Sequence, residues 1–251
     1  MRERPGRLFG LGVGPGDPEL VTLKALRRLR EAAVIAYPAP EHGASFARSI
    51  VAGWLDGTRP EIAIRFPMRP GPPPVAIYDE AAARLAAELD RGRDVALLCQ
   101  GDPFFYGSFI PIFVRLAQRY DTEIVPGVSS PTACAAAAAT PLVSRDETLS
   151  VIPATLDEAA LARRLAAAEA AAIVKLGRHL DKVRRVLARL GLLDRALYVE
   201  HASLPRQRVT SLAIVDGLSA PYFSMALVRG ASDGVRTRNS EEETIVQEKR
   251  S

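Results

Sequence analysis

Short apolar runs of strand length alternate with segments of helical period through most of the 251 residues, and this alternation restricts the chain to α/β architecture. Residues 7–13 (RLFGLGV) are extended and apolar, 14–18 (GPGDP) form a turn, and 19–32 (ELVTLKALRRLREA) read as a helix with Leu20, Leu23, Leu26 and Leu29 along one side. Asp17 is placed to cap that helix, and Pro18 suits its first turn. Strands follow at 34–38, 61–66 and 94–99, with a helix over 78–92 leading into the last of them. Four prolines and a glycine in residues 68–74 (MRPGPPP) exclude a regular ladder and predict an exposed loop. A helix at 108–120, a strand at 122–126 and a turn at 127–130 (GVSS) then open the alanine-rich helix 130–139.

A second series starts at Thr148, with strands at 148–154, 171–177 and 196–203 separated by helices at 156–170 and 178–192. Residues 207–215 and 221–230 look like strands with no helix between them, so this part is expected to end in an antiparallel hairpin or meander. Two α/β lobes are therefore expected, 1–125 and 126–230, with 231–251 a polar, aperiodic tail that reads as disordered.

No apolar run approaches the length of a membrane span, and the first residues lack the apolar core of a signal peptide, so a cytoplasmic enzyme is the expectation. Cys99 and Cys134 each lie in an apolar stretch and read as free buried thiols. His42, His179 and His201 lack metal-ligand spacing, and no metal is expected. The formal charge of +4, carried mainly by arginine, suits an anionic ligand. These arginines are spread through helices and do not form a block interleaved with aromatics, which favours a small acidic molecule over nucleic acid; solvated helix faces explain them equally well.

Three segments have the composition of ligand-binding loops, each between a strand and a helix. In residues 10–20 (GLGVGPGDPEL) the glycines allow close backbone approach, and the following helix offers unpaired amides. The dinucleotide fingerprint fails in both registers, since its third glycine falls on Pro15 or on Asp17. Residues 99–108 (CQGDPFFYGS) follow an apolar strand, where open α/β sheets gather ligands, and Asp102 can accept from a ligand amine or hydroxyl. Ser129 and Ser130 can cap the next helix or bind ligand. Taken singly, each loop also reads as an ordinary structural turn.

Together, GPGDPEL followed by TLKAL, GDPFFYGS, PGVSS and the final PYFSM resemble in type, order and spacing the motifs of the tetrapyrrole methylase family, over nearly the whole chain from Leu8 to about Gly230. Within it the chain is most similar to the C-20 methyltransferases of precorrin-2, through VIAYPAP, LLCQGDPFFYGSF, EIVPGVSSPTACAAAA and GRHLDKVRRVL. The resemblance implies a two-lobed class III methyltransferase, each lobe a mixed sheet with flanking helices. It further implies that S-adenosylmethionine binds in a cleft between lobes, that the substrate is a polycarboxylate tetrapyrrole of the cobalamin pathway, and that the protein is a homodimer. Carried over position by position, it assigns the cofactor to Pro15, Gln100, Gly101, Asp102, Phe105, Ser129, Ser130, Leu176 and Ala202. Members that methylate uroporphyrinogen III carry an Asp after the Tyr that ends the second strand; here Pro38 follows Tyr37, which excludes a carboxylate base there.

No catalytic base is identified, and Tyr106 and Asp102 are the candidates. Arg65, Arg69 and Arg145 lie in or beside loops and suit substrate carboxylates, as they suit solvent. The rival readings are a methylase for another ring carbon or for the cobalt-containing substrate, a nicotinamide-dependent oxidoreductase, and a non-catalytic tetrapyrrole-binding protein.

Overall fold

The computed structural model describes residues 4–67 and 74–230, folded as two compact units, Met1–Ser130 and Pro131–Ser251. The first unit runs to Ser130, and within it Gly127 N donates to Asp102 Oδ2. The tail and residues 68–73 of the proline-rich loop lie outside the described residues.

The first unit is built on β1 (Leu8–Gly12), β2 (Val34–Pro40), β3 (Glu61–Phe66), β4 (Val95–Cys99) and β5 (Thr122–Val125), in the order β3-β2-β4-β1-β5. All its ladders are parallel, and the one antiparallel pairing among the described residues of this unit is an isolated bridge between Gly14 and Gly101. β1 and β4 are buried at every position, as the continuous apolar runs require of strands covered on both faces. Successive side chains divide between the faces. Phe9, Leu11, Ile35 and Leu98 meet α1 (Leu23–Glu31) and α2 (Phe46–Ile50), while Leu8, Val34 and Leu97 meet α3 (Val75–Leu89) and α4 (Phe109–Leu116).

The helix expected over 19–32 is two elements. Asp17 accepts from Glu19 N at 2.9 Å and caps a single 3-10 turn, Pro18–Leu20; Thr22 Oγ1 then accepts from Ala25 N at 3.1 Å and starts α1. Side-chain caps at both residues compete successfully with a continuous helix. Leu23 consequently stands 86% exposed, off the apolar side expected for it, whereas Leu29 is buried. The Arg59 guanidinium closes the other end of α1, donating to Leu29 O and Ala32 O. Periodicity gave no signal for α2, which has only five residues.

In the second unit, β6 (Leu149–Pro153), β7 (Ala170–Val174), β8 (Ala196–Glu200), β9 (Arg208–Ser211) and β10 (Ser224–Val228) form a mixed sheet, β6-β7-β10-β8-β9. β6 and β7 are parallel, β8 and β9 are antiparallel, and the strands expected at 207–215 and 221–230 do not pair with each other. β10 is inserted between β7 and β8, antiparallel to both, so the end of the chain is not a meander. The expected strand 207–215 stops at Ser211, whose Oγ accepts from Ala213 N and caps a 3-10 turn over Leu212–Ile214. Helices α6 (Glu158–Ala166) and α7 (Leu180–Arg189) cover the face bearing Ile152, Ile173 and Tyr198. On the other face, Cys134 and Ala135 of α5 (Ser130–Ala137) pack against Ala172, Val199 and Met225. Among the described residues no helix is long and apolar enough to cross a membrane.

The centre of β1 has no room for a side chain at Gly10, since a Cβ there stands 2.5–2.9 Å from the Phe109 ring. Gly10→Ala is expected to lower stability by about 1–3 kcal/mol through overpacking. The urea midpoint should fall accordingly and recover in part in the double variant with Phe109→Leu; an unchanged midpoint in the single variant contradicts this packing.

Candidate active site

β1, β4 and β5 are parallel neighbours, so the loops leaving their carboxyl ends, residues 13–17, 100–107 and 126–129, emerge side by side. The helix after β1 lies on one face of the sheet and the helix after β4 on the other. Adjacent strands whose connections diverge in this way open a crevice at their carboxyl ends, the position at which such sheets bind ligands.

Backbone packs directly on backbone there. Gly14 N donates to Gly101 O at 3.3 Å and Gly101 N to Gly14 O at 2.7 Å, with φ of +76° and +68°. A Cβ on Gly12 meets Gly127 N at 2.5 Å and Gly101 O at 2.8 Å, and a Cβ on Gly127 collides with Gly101 O. The glycines of the first turn thus serve contact with two other loops. Asp102 ties the second loop to the third: its Oδ1 accepts from Phe104 N at 2.9 Å and its Oδ2 from Gly127 N at 3.0 Å. Around this junction lie Pro15, buried beside the bridge, and Gln100, half-buried after β4. Phe105 is also half-buried and meets Tyr106 edge-on at 5.1 Å; Ser129 and Ser130 end the third loop, Ser130 opening α5.

The remaining two predicted cofactor positions share one edge of the second sheet, where the carboxyl ends of β7 and β8 flank the amino end of β10. Leu176 follows β7 and is fully buried in the core beneath α7. Ala202 follows β8 in a turn fixed on both sides, His201 N donating to Phe223 O at 2.8 Å and Leu204 N to His201 O at 3.0 Å. Lys175, His201 and Ser203 all adopt positive φ at this edge, +58°, +51° and +67°. Non-glycine residues held in that region cluster at ligand sites, where the surrounding structure over-determines them.

The two candidate bases differ in setting. Both Asp102 oxygens already accept from loop backbone, which makes that carboxylate a positioning group. Tyr106 is 47% exposed at φ +57°. Arg65 donates to Pro40 O and Glu41 O, Arg145 is exposed, and Arg69 lies outside the described residues. Cys99 and Cys134 are free and buried, and burial pushes both thiols up, that of Cys134 to about 12, so neither is a thiolate nucleophile at neutral pH. No cluster able to hold a metal ion occurs among the described residues.

A group absent from the sequence analysis surrounds Pro38. Ser45 Oγ donates to Pro38 O at 2.6 Å and accepts from Arg48 N at 3.2 Å. Arg48 pairs with Glu61 through two bonds of 2.6 and 2.7 Å, holding the Glu61 carboxyl below its usual range, and lies over the Tyr37 ring. These residues come from β2, α2 and β3 and are brought together by the fold, so no local motif announces them.

A chain of Sinorhizobium sp named Precorrin-2 C(20)-methyltransferase is 44% identical over 237 residues, covering 91% of this chain and 97% of that one. The Cobalamin biosynthesis protein CobIJ of Mycobacterium bovis is 48% identical over 90% of this chain, which spans only 46% of that protein's length. Among solved structures, the uroporphyrin-III C-methyl transferase of Thermus thermophilus complexed with S-adenyl homocysteine superposes with a TM-score of 0.64 at 25% identity, covering 88% of this chain and 97% of that one. The family model for Tetrapyrrole (Corrin/Porphyrin) Methylases matches residues 7–214, and with the converging loops described above this makes the chain a member of the tetrapyrrole methylase family.

Proposed function

We propose that the chain transfers a methyl group from S-adenosylmethionine to C-20 of precorrin-2, giving precorrin-3A in cobalamin biosynthesis. The observation that carries this reading is the 44% identity to a precorrin-2 C(20)-methyltransferase over nearly the full length of both chains. The reading takes the cofactor to Pro15, Gln100, Gly101, Phe105, Ser129 and Ser130 of the first unit and to Leu176 and Ala202 of the second, with Asp102 holding its loops. A homodimer is the assembly it carries with it.

When bound, the sulfonium supplies an electrophilic methyl group, and the substrate's meso carbon is electron-rich. The protein's task is therefore positioning, which can supply roughly 7–11 kcal/mol of a barrier without covalent help. The two glycine bridge bonds and the Asp102 ties fix loop backbone in advance, so little ordering remains when the cofactor arrives. Pro38 gives this chain no carboxylate where uroporphyrinogen methylases are thought to use one, which favours the corrin substrate.

Anaerobic incubation with precorrin-2 and methyl-labelled S-adenosylmethionine, read by mass spectrometry and carbon NMR, should give one labelled methyl at C-20. Label at another carbon, or transfer only with cobalt-factor II, contradicts the assignment. Calorimetric titration should show binding of S-adenosylhomocysteine and none of NAD; the reverse contradicts the methyltransferase reading altogether. Asp102→Ala removes two charge-assisted bonds to backbone and is expected to weaken S-adenosylhomocysteine at least about tenfold while the fold persists. Wild-type affinity in that variant would show that the loops do not depend on the carboxylate.

A further inference from the structure

His201 is one of few buried polar residues, 8% exposed, and it lies in the turn that carries Ala202. Its Nε2 stands 3.6 Å from Glu200 Oε1, and Glu200 is fixed by the Tyr198 hydroxyl, which donates to Oε2 at 2.8 Å. Its Nδ1 has no hydrogen-bond partner among the described residues. The other buried side-chain atoms without partners sit on guanidinium or carboxylate groups, which carry further donors or acceptors. An imidazole has one other nitrogen, and here it faces Glu200. Phe223 packs edge-on against the ring, with centroids 6.0 Å apart, and the backbone is held at φ +51°.

Burial pushes the imidazole pKa down and the neighbouring Arg206 adds to this, against an opposing pull from Glu200, and the net direction favours the neutral ring. A carboxylate beside Nε2 favours the tautomer with the proton there, which leaves Nδ1 as an acceptor. An acceptor buried without a donor, on a backbone held in a sparsely populated region, is the kind of cost that structures retain at binding sites.

We infer that His201 is a cofactor-binding residue, its Nδ1 accepting a hydrogen bond from a donor on the adenosine half of the ligand, beside Ala202. This rests on the methyltransferase reading. It adds to that reading a side chain that supplies an acceptor at an edge otherwise assigned only an apolar and a backbone contact.

The test is calorimetric titration of the full chain with S-adenosylhomocysteine and with 5′-methylthioadenosine, which keeps the adenosine and lacks the amino-acid end. His201→Leu is expected to weaken both ligands about tenfold, equivalent to about 1.4 kcal/mol. His201→Asn sets an amide oxygen near the Nδ1 position and tolerates positive φ, so it should stay within about threefold of wild type. Unchanged affinity in His201→Leu, or equal loss in both variants, overturns the inference, the second outcome assigning His201 to the fold. Loss toward S-adenosylhomocysteine alone overturns the adenosine assignment. If His201→Leu does not fold, the 15N resonance of Nδ1 in wild-type protein labelled at histidine gives the answer: it should move toward a hydrogen-bonded value on saturation, and a static resonance overturns the inference. Failure of the wild type to bind S-adenosylhomocysteine at all would instead count against the functional reading.

Discussion

Contact of backbone with backbone at Gly12, Gly101 and Gly127 is the constraint on which the first unit's functional edge depends. Three loops leave neighbouring strands and meet where no Cβ fits on Gly12 or Gly127, and the reciprocal Gly14–Gly101 bonds hold two of them in register. Asp102 extends the junction to the third loop through Gly127 N. A single added methyl group at Gly12 or Gly127 has to displace main chain, which no rotamer change can relieve.

This construction suits a reaction that asks for alignment more than for acid–base chemistry. The Asp102 carboxylate of the second loop spends both oxygens on loop amides, and the two cysteines are buried with raised pKa values. Each unit holds backbone at positive φ at the ends of its own strands, the first at Gly14, Gly101 and Tyr106 and the second at Lys175, His201 and Ser203. Rigid presentation of donors and acceptors to a reactive cosubstrate is how such a surface contributes to rate.

Much of this was legible in the sequence, for physical reasons that differ by element. β1, β4 and β7 announce themselves because strands buried on both faces must be apolar throughout. The first two loops were legible because each follows such a strand; the third follows β5, of which only Val125 is buried, and was read from the GVSS turn. Residues 19–32 misled because their leucine spacing is helical while Asp17 and Thr22 each prefer to cap, and capping won. The insertion of β10 between β7 and β8 depends on long-range pairing that local pattern does not encode. His201 was passed over because metal spacing was the only question its sequence context posed; its burial, its orphaned nitrogen and its backbone strain exist only in the fold.

The proposed function puts S-adenosylmethionine against the carboxyl-end loops around the glycine junction. Amide hydrogen exchange with and without S-adenosylhomocysteine is the measurement to make. Added protection is expected at residues 12–17, 100–106 and 126–130, and at 175–177 and 200–203. Protection confined elsewhere, for example to the groove of about 420 Å³ lined by Glu61, Arg65, Glu80 and Arg84, would contradict that placement.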